Sequence, residues 1–202
     1  ISNSINSVGM IFIMSLIGGF GTSAIAAFGV GLRLDSVAIL PIIGLSHAVI
    51  PFIGQNLGAG KIKRAQKSVK YSSYASIALM ALLSLVWFFL PEYLIMPFSS
   101  DAEVLRIGAM YLKVMSLGFV FMGLNLTLGS AMQAAGRTGL QLLVNAGRWV
   151  FIIGIALSLV GTFQLEGIAA GIPLGNLAGA VLAFAFIKSG MWLKGWESTE
   201  KN

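Results

Sequence analysis

The chain has 202 residues, 57% hydrophobic and only 10% charged, and carries a net charge of +6. A water-facing domain needs roughly 25% charged residues to solvate its surface, so a soluble globular fold is excluded and the chain's solvent is mostly hydrocarbon. No cysteine is present, which removes disulfide frameworks and thiolate metal sites. The basic residues sit between apolar runs, where they set membrane topology rather than bind nucleic acid.

A membrane chain that opens at Ile1, already near an apolar run and without a basic leader, reads as a piece of something longer. The rule that ~20 apolar residues cross a bilayer predicts six spans in chain order. The first is Ser4–Phe20, ended by Gly18, Gly19 and Gly21. The second runs from Ser23 to Leu57 and contains Pro41 and Pro51. At 1.5 Å per residue it reaches ~52 Å, far beyond a ~30 Å core, so it must tilt, kink or project. The third is Ala65–Leu90, stopped by Pro91. The fourth, Ala102–Ala135, is opened by Ser99, Ser100 and Asp101 with Glu103 following, a helix N-cap signal. Leu140–Val160 and Glu166–Ile187 complete the set. Residues 1–190 thus form an all-α, six-helix transmembrane bundle, and 191–202 a cytoplasmic tail.

Counting lysine and arginine orients the bundle. Lys61, Lys63, Arg64, Lys67 and Lys70, then Arg137, then Lys188 and Lys194, all fall on one side of a six-span chain. Glu92, Asp101, Glu103 and Glu166 mark the other, with Arg106 and Lys113 as its basic residues. The basic side is the cytoplasm. Both chain ends then lie inside.

The second span closes on Gly54, Gln55, Asn56, Gly58 and Gly60, with Arg64 beyond. Glycine can end a helix in the left-handed conformation, and Gln55 and Asn56 can satisfy freed carbonyls, so a structural inner turn accounts for this motif. As a pattern the stretch Gly54–Gly60 with Arg64-Ala65 also resembles the multidrug and toxic compound extrusion (MATE) family of antiporters. The Gln133-Ala134-Ala135-Gly136-Arg137 turn and the Leu165–Gly171 loop are similar to that family's corresponding segments. The resemblance covers nearly the whole chain. It implies one lobe of a two-lobed, twelve-helix transporter, and Arg33, Asp35 and Pro41 look more like the C-terminal lobe. It implies export of amphipathic organic compounds coupled to H⁺ or Na⁺ across the bacterial inner membrane, without a cofactor. Its partners would be the lipid bilayer, the N-terminal lobe and small organic substrates. Some family members hold the coupling cation on carboxylates of this lobe's first and fourth helices, and no such acids stand here. The ion would then bind in the N-terminal lobe. The alternatives are a lipid-linked oligosaccharide flippase of the related superfamily, with Arg33, Lys113 and Arg148 as its available cations, or a non-transporting membrane subunit. A membrane enzyme is excluded by the want of a nucleophile–base pair or metal cluster among one histidine and no cysteine.

Ionisable and polar groups inside spans are the candidate site residues. Counting back from Leu57 puts Arg33 and Asp35 near the outer rim, either anchored there or lining a vestibule. Their i, i+2 spacing keeps them off a common face. His47 shares a stripe with Leu40, Gly44 and Pro51, a crowded or bent face expected towards the protein interior. Asn125, Gly129 and Gln133 form a polar stripe on the fourth span, facing either a partner helix or a wet cavity. Asn145, Arg148 and Asn176 are further polar residues of this kind. Met10, Met14, Met115 and Met122 suit core filling or an adaptable pocket.

Overall fold

The computed structural model describes residues 2–196, and its helices run α1 Ser2–Gly18, α2 Thr22–Gly58, α3 Ile62–Phe89, α4 Pro91–Ile95, α5 Ala102–Ser116, α6 Phe119–Ala134 and α7 Thr138–Lys188, followed by a 3₁₀ turn at Met191–Leu193. By length and composition α2, α3 and α7 can each cross a bilayer, and α5 and α6, bent by 50°, are together long and apolar enough to make a fourth span.

α7 is two helical arms joined at a kink. Gln164 sits at φ 48° and ψ −125°, outside helical space. The segments on either side pack antiparallel: Gly167 lies against Leu159, Gly171 against Ile152 and Ala156, Gly175 against Ile152 and Arg148, and Gly179 against Arg148. A Cβ at Gly175 would stand 2.1 Å from Ile152 Cγ1, and one at Gly171 2.8 Å from the Ile152 carbonyl oxygen. Four glycines at four-residue spacing therefore form the seam that lets the two arms touch backbone to backbone, as small residues do between helices in lipid. Counting both arms of α7, the bent α5–α6 pair, α2, α3 and the shorter apolar α1 gives six segments.

The fourth span was expected as one helix; it breaks at Leu117–Gly118. Neither proline nor cap marks that break, whose neighbour is distant in sequence: a Cβ on Gly118 would lie 2.7 Å from Pro173 Cα. By contrast α2 continues through Pro41 and Pro51 as a single 37-residue helix. Pro91 ends α3 and opens the short α4 at its first turn, where its missing N–H costs nothing. Asp101 caps α5, its carboxylate accepting from the backbone N–H groups of Glu103 at 2.8 Å and Val104 at 3.0 Å.

On the basic side the three turns close alike. Gly60, Gly136 and Gly190 take φ of 68°, 75° and 74°, the left-handed conformation that admits glycine most readily. After two of them the chain bonds five residues back, Lys61 N to Asn56 O and Arg137 N to Met132 O, each at 2.8 Å. Gly58 stays inside the helix, and the Asn56 amide donates to Phe52 O at 2.7 Å rather than to a last-turn carbonyl. Gln55 is exposed, Gly54 half-buried, and Arg64 lies exposed in the first turn of α3. Of the expected tail, residues 197–202 lie outside the described residues. Residues 191–196 pack onto the bundle, with Trp192 1% exposed and Trp196 Nε1 donating to Ala135 O at 3.1 Å. The Arg137 guanidinium donates to the Lys194 carbonyl.

Candidate functional site

Between α1, α2, α5, α6 and both arms of α7 lies a cavity of about 630 Å³. Its wall is mostly apolar, with a few polar groups converging on it, the usual make-up of a small-molecule site. Two glycine–aromatic units organise those polar groups.

In the first unit Gly31 of α2 leaves room for the ring of Tyr111 from α5. A Cβ there would stand 2.3 Å from Tyr111 Cδ1. The ring also meets Phe28, with centroids 4.6 Å apart. One turn on, the Tyr111 hydroxyl donates to Asp35 Oδ2 at 2.7 Å. Asp35 is 4% exposed, and its Oδ1 has no hydrogen-bond partner among the described residues. The Trp87 indole N–H on α3 is also buried and without a hydrogen-bond partner among the described residues.

In the second unit Gly9 of α1 admits the Trp149 indole, which a Cβ would meet at 2.2 Å. Trp149 Nε1 donates to Asn6 Oδ1 at 2.8 Å. Arg148 Nη2 donates to the same oxygen at 2.9 Å and to Asn145 Oδ1 at 3.1 Å, while Nη1 reaches Asn176 Oδ1 at 3.0 Å. The guanidinium also lies 5.3 Å from the Trp149 ring, a cation–π distance. Every acceptor on Arg148 is a neutral amide oxygen. Among the described residues the one ion pair is the exposed Arg106–Glu103 contact at 2.8 Å, so Arg148 brings an uncompensated positive charge to the cavity wall.

The sequence-predicted residues divide sharply. Asp35 lines the cavity, as do Arg148, Asn176 and all four methionines, Met10, Met14, Met115 and Met122. Asn145 stands behind the wall, holding Arg148. Asn125 donates to the Asn176 carbonyl at 2.8 Å, linking α6 to α7. Gln133 is exposed and the Gly129 position faces the Gln141 side chain at 3.4 Å, so this stripe meets α7 rather than the cavity. Arg33 and Lys113 are exposed and line no part of the cavity.

His47 corrects the expectation of an inward stripe. It is exposed along with Pro51, Leu40 is 64% exposed, and nothing lies within 4 Å of a Cβ on Gly44. The interior face of α2 instead carries Ile42, Ser46, Val49 and Ile53. Glycine and proline mark crowding in water-soluble helices, but in lipid both also occur on open faces. Sequence reading missed Tyr111, Trp149 and Asn6. The available signal was a glycine one turn from a polar residue, Gly31 before Asp35 and Gly9 after Asn6.

Comparisons with known proteins agree with this architecture. The MatE family model matches residues 1–160. An FAD transporter of Shewanella oneidensis is 31% identical over 177 residues, covering 87% of this chain and 39% of that protein. A probable multidrug resistance protein, YpnP of Bacillus subtilis, is 30% identical over 185 residues, covering 91% and 42% respectively. Among solved structures, the Vibrio cholerae MATE transporter VcmN in the bent form superposes with a TM-score of 0.86 at 24% identity, over 95% of this chain and 45% of that one. The MATE transporter ClbM in complex with Rb⁺ gives 0.88 at 21% identity, over 96% and 46%. The chain spans less than half the length of these relatives.

Proposed function

The chain belongs to the MatE family of membrane transporters, and from that premise we propose that it is the C-terminal six-helix lobe of a twelve-helix secondary active exporter of amphipathic organic compounds. In this reading the lobe sits in a bacterial inner membrane with both its ends cytoplasmic, and it works against an N-terminal lobe of the same protein. Coupling is to an inward H⁺ or Na⁺ gradient. Since α1, α5 and α6 carry no membrane-embedded acid, the main ion site is assigned to the other lobe. Asp35 is the one carboxylate on this lobe's cavity.

One observation carries the proposal: the cavity joins four flexible methionines to a buried carboxylate with a spare oxygen. Methionine adapts to many apolar shapes, and the Asp35 carboxylate, which lines the cavity, supplies the negative charge that would draw an ammonium or other cationic head. The test is Asp35→Asn in the full-length protein, reconstituted in vesicles. An asparagine oxygen still accepts from Tyr111, so the fold is kept. Export of a permanently cationic dye should fall about tenfold or more, the scale of one lost contact to charge (~1.5–3 kcal/mol). Wild-type export by the variant refutes the assignment.

A second reading has its own support in Arg148, whose charge no acid balances. That cation favours an anionic substrate, and one relative is named as an FAD transporter. Transport of FAD but not of the dye by the same vesicles would favour it. The oligosaccharide-flippase alternative asks for several cations around a pyrophosphate. Of Arg33, Lys113 and Arg148, only Arg148 lines the cavity.

A further inference from the structure

The lobe's larger hollow is on its outside. α3, α6 and the second arm of α7 leave a groove of about 720 Å³ that shares no residue with the central cavity. All three walls agree on which end is which. α3 departs from the basic turn at Ile62, α6 arrives at the basic turn at Ala134, and α7 ends at Lys188. The basic end of the groove holds Lys70 and Lys188, with Gln66 and Trp192 beside them. Beyond them the lining turns apolar, through Ile77, Phe121, Leu124, Leu177 and Phe184.

Depth and charge each narrow the occupant. Gln66 to Ile77 on α3 and Leu177 to Lys188 on α7 are both eleven-residue intervals, about 16 Å of helix. That is about half of a ~30 Å hydrocarbon core, the depth of one leaflet. No carboxylate lines the groove, so its two ammonium groups face whatever enters without a protein counter-charge. Lys70 Nζ lies 5.8 Å from the Tyr74 ring centroid, within the groove's own lining.

We propose that this groove binds one anionic phospholipid of the basic-side leaflet, its headgroup phosphate between Lys70 and Lys188 and an acyl chain along the Ile77–Phe121–Leu177 wall. The site is independent of substrate export and rests only on the membrane orientation of the lobe. Its charge selects the lipid class: two lysines favour a headgroup of net negative charge over a zwitterionic one.

The test is lipid titration of the purified full-length protein by native mass spectrometry, with phosphatidylglycerol and phosphatidylcholine as the two probes. The first phosphatidylglycerol should bind about tenfold tighter than phosphatidylcholine or better. Lys70→Gln with Lys188→Gln should weaken it about 25-fold, or about fivefold per lysine near a membrane surface, and weaken phosphatidylcholine, whose phosphate is paired with its own ammonium, by much less. Both lysines are exposed, so the variant keeps its fold. Val181→Trp, from an exposed position on the groove wall, should weaken both lipids by filling the groove. Equal affinity for the two lipids, undiminished phosphatidylglycerol affinity in the double-glutamine variant, or undiminished affinity in Val181→Trp would each overturn the proposal.

Discussion

Gly31→Ala, a change of one methyl group, should cost the protein far more than its size suggests. The new Cβ would stand 2.3 Å from Tyr111 Cδ1 and 2.4 Å from Cε1, whereas carbon atoms settle at about 3.5–4.0 Å. The ring must retreat by roughly 1.2 Å to reach the near edge of that range. Its hydroxyl, now 2.7 Å from Asp35 Oδ2, would then pass beyond the ~2.5–3.0 Å window of O–H···O bonds. Overpacking costs about 1–3 kcal/mol, and losing a bond to a buried carboxylate about 1.5–3 kcal/mol. Alanine's helix propensity returns up to about 1 kcal/mol, for a net loss of about 2–5 kcal/mol. Equilibrium unfolding of the full-length protein in mixed micelles reads this directly, with Gly154→Ala as the control, because nothing lies within 4 Å of a Cβ there. In a Tyr111→Ala background the ring is gone and the Gly31→Ala penalty should vanish. A Gly31→Ala cost no greater than the control's, or one unchanged when the ring is removed, refutes the reasoning.

Arg148→Lys keeps the charge but cannot fan donors across Asn6, Asn145 and Asn176; the same unfolding assay should show a loss of about 2–4 kcal/mol. Topology is open to cysteine labelling, since the chain contributes no native cysteine. A membrane-impermeant maleimide should reach Glu92→Cys and Thr162→Cys from outside intact cells, and Lys63→Cys and Thr138→Cys only after permeabilisation. Labelling of all four from one side would end the six-span reading.

The all-helical, apolar architecture was legible because hydropathy is a local signal. Helix facing was not, and the reason is physical. In water an amphipathic stripe separates core from surface, but here both the core and the lipid-facing side are apolar. Leu40 at 64% exposed and Ile42 at 0% are two residues apart and chemically alike, so composition could not say that His47 looks away from the lobe. The break at Gly118 escaped for a different reason. The residue that packs against it is Pro173, 55 residues on, and no window over the fourth span contains that neighbour. Asp35 was found because an acid in a span is rare enough to notice, whereas Tyr111 and Trp149 are among many aromatics, and only their glycine partners mark them.

An unpaired polar atom does not by itself mark a site in such a protein. Asn125 Oδ1 and Thr127 Oγ1 also lack hydrogen-bond partners, yet neither residue lines the central cavity. Asn125 Oδ1 has a local explanation, since it packs on Gly179 closely enough that a Cβ there would come within 2.9 Å; a weak C–H···O contact suits that approach. Asp35 Oδ1 is different in kind. It belongs to an ionisable group whose carboxylate accepts one hydrogen bond among the described residues, from Tyr111. The residue also lines a hollow large enough for a drug-sized molecule. A half-satisfied buried carboxylate stabilises the fold less than a leucine of similar volume would. The packing around Gly31 nevertheless holds Asp35 at the cavity wall, the placement that the proposed binding role asks for.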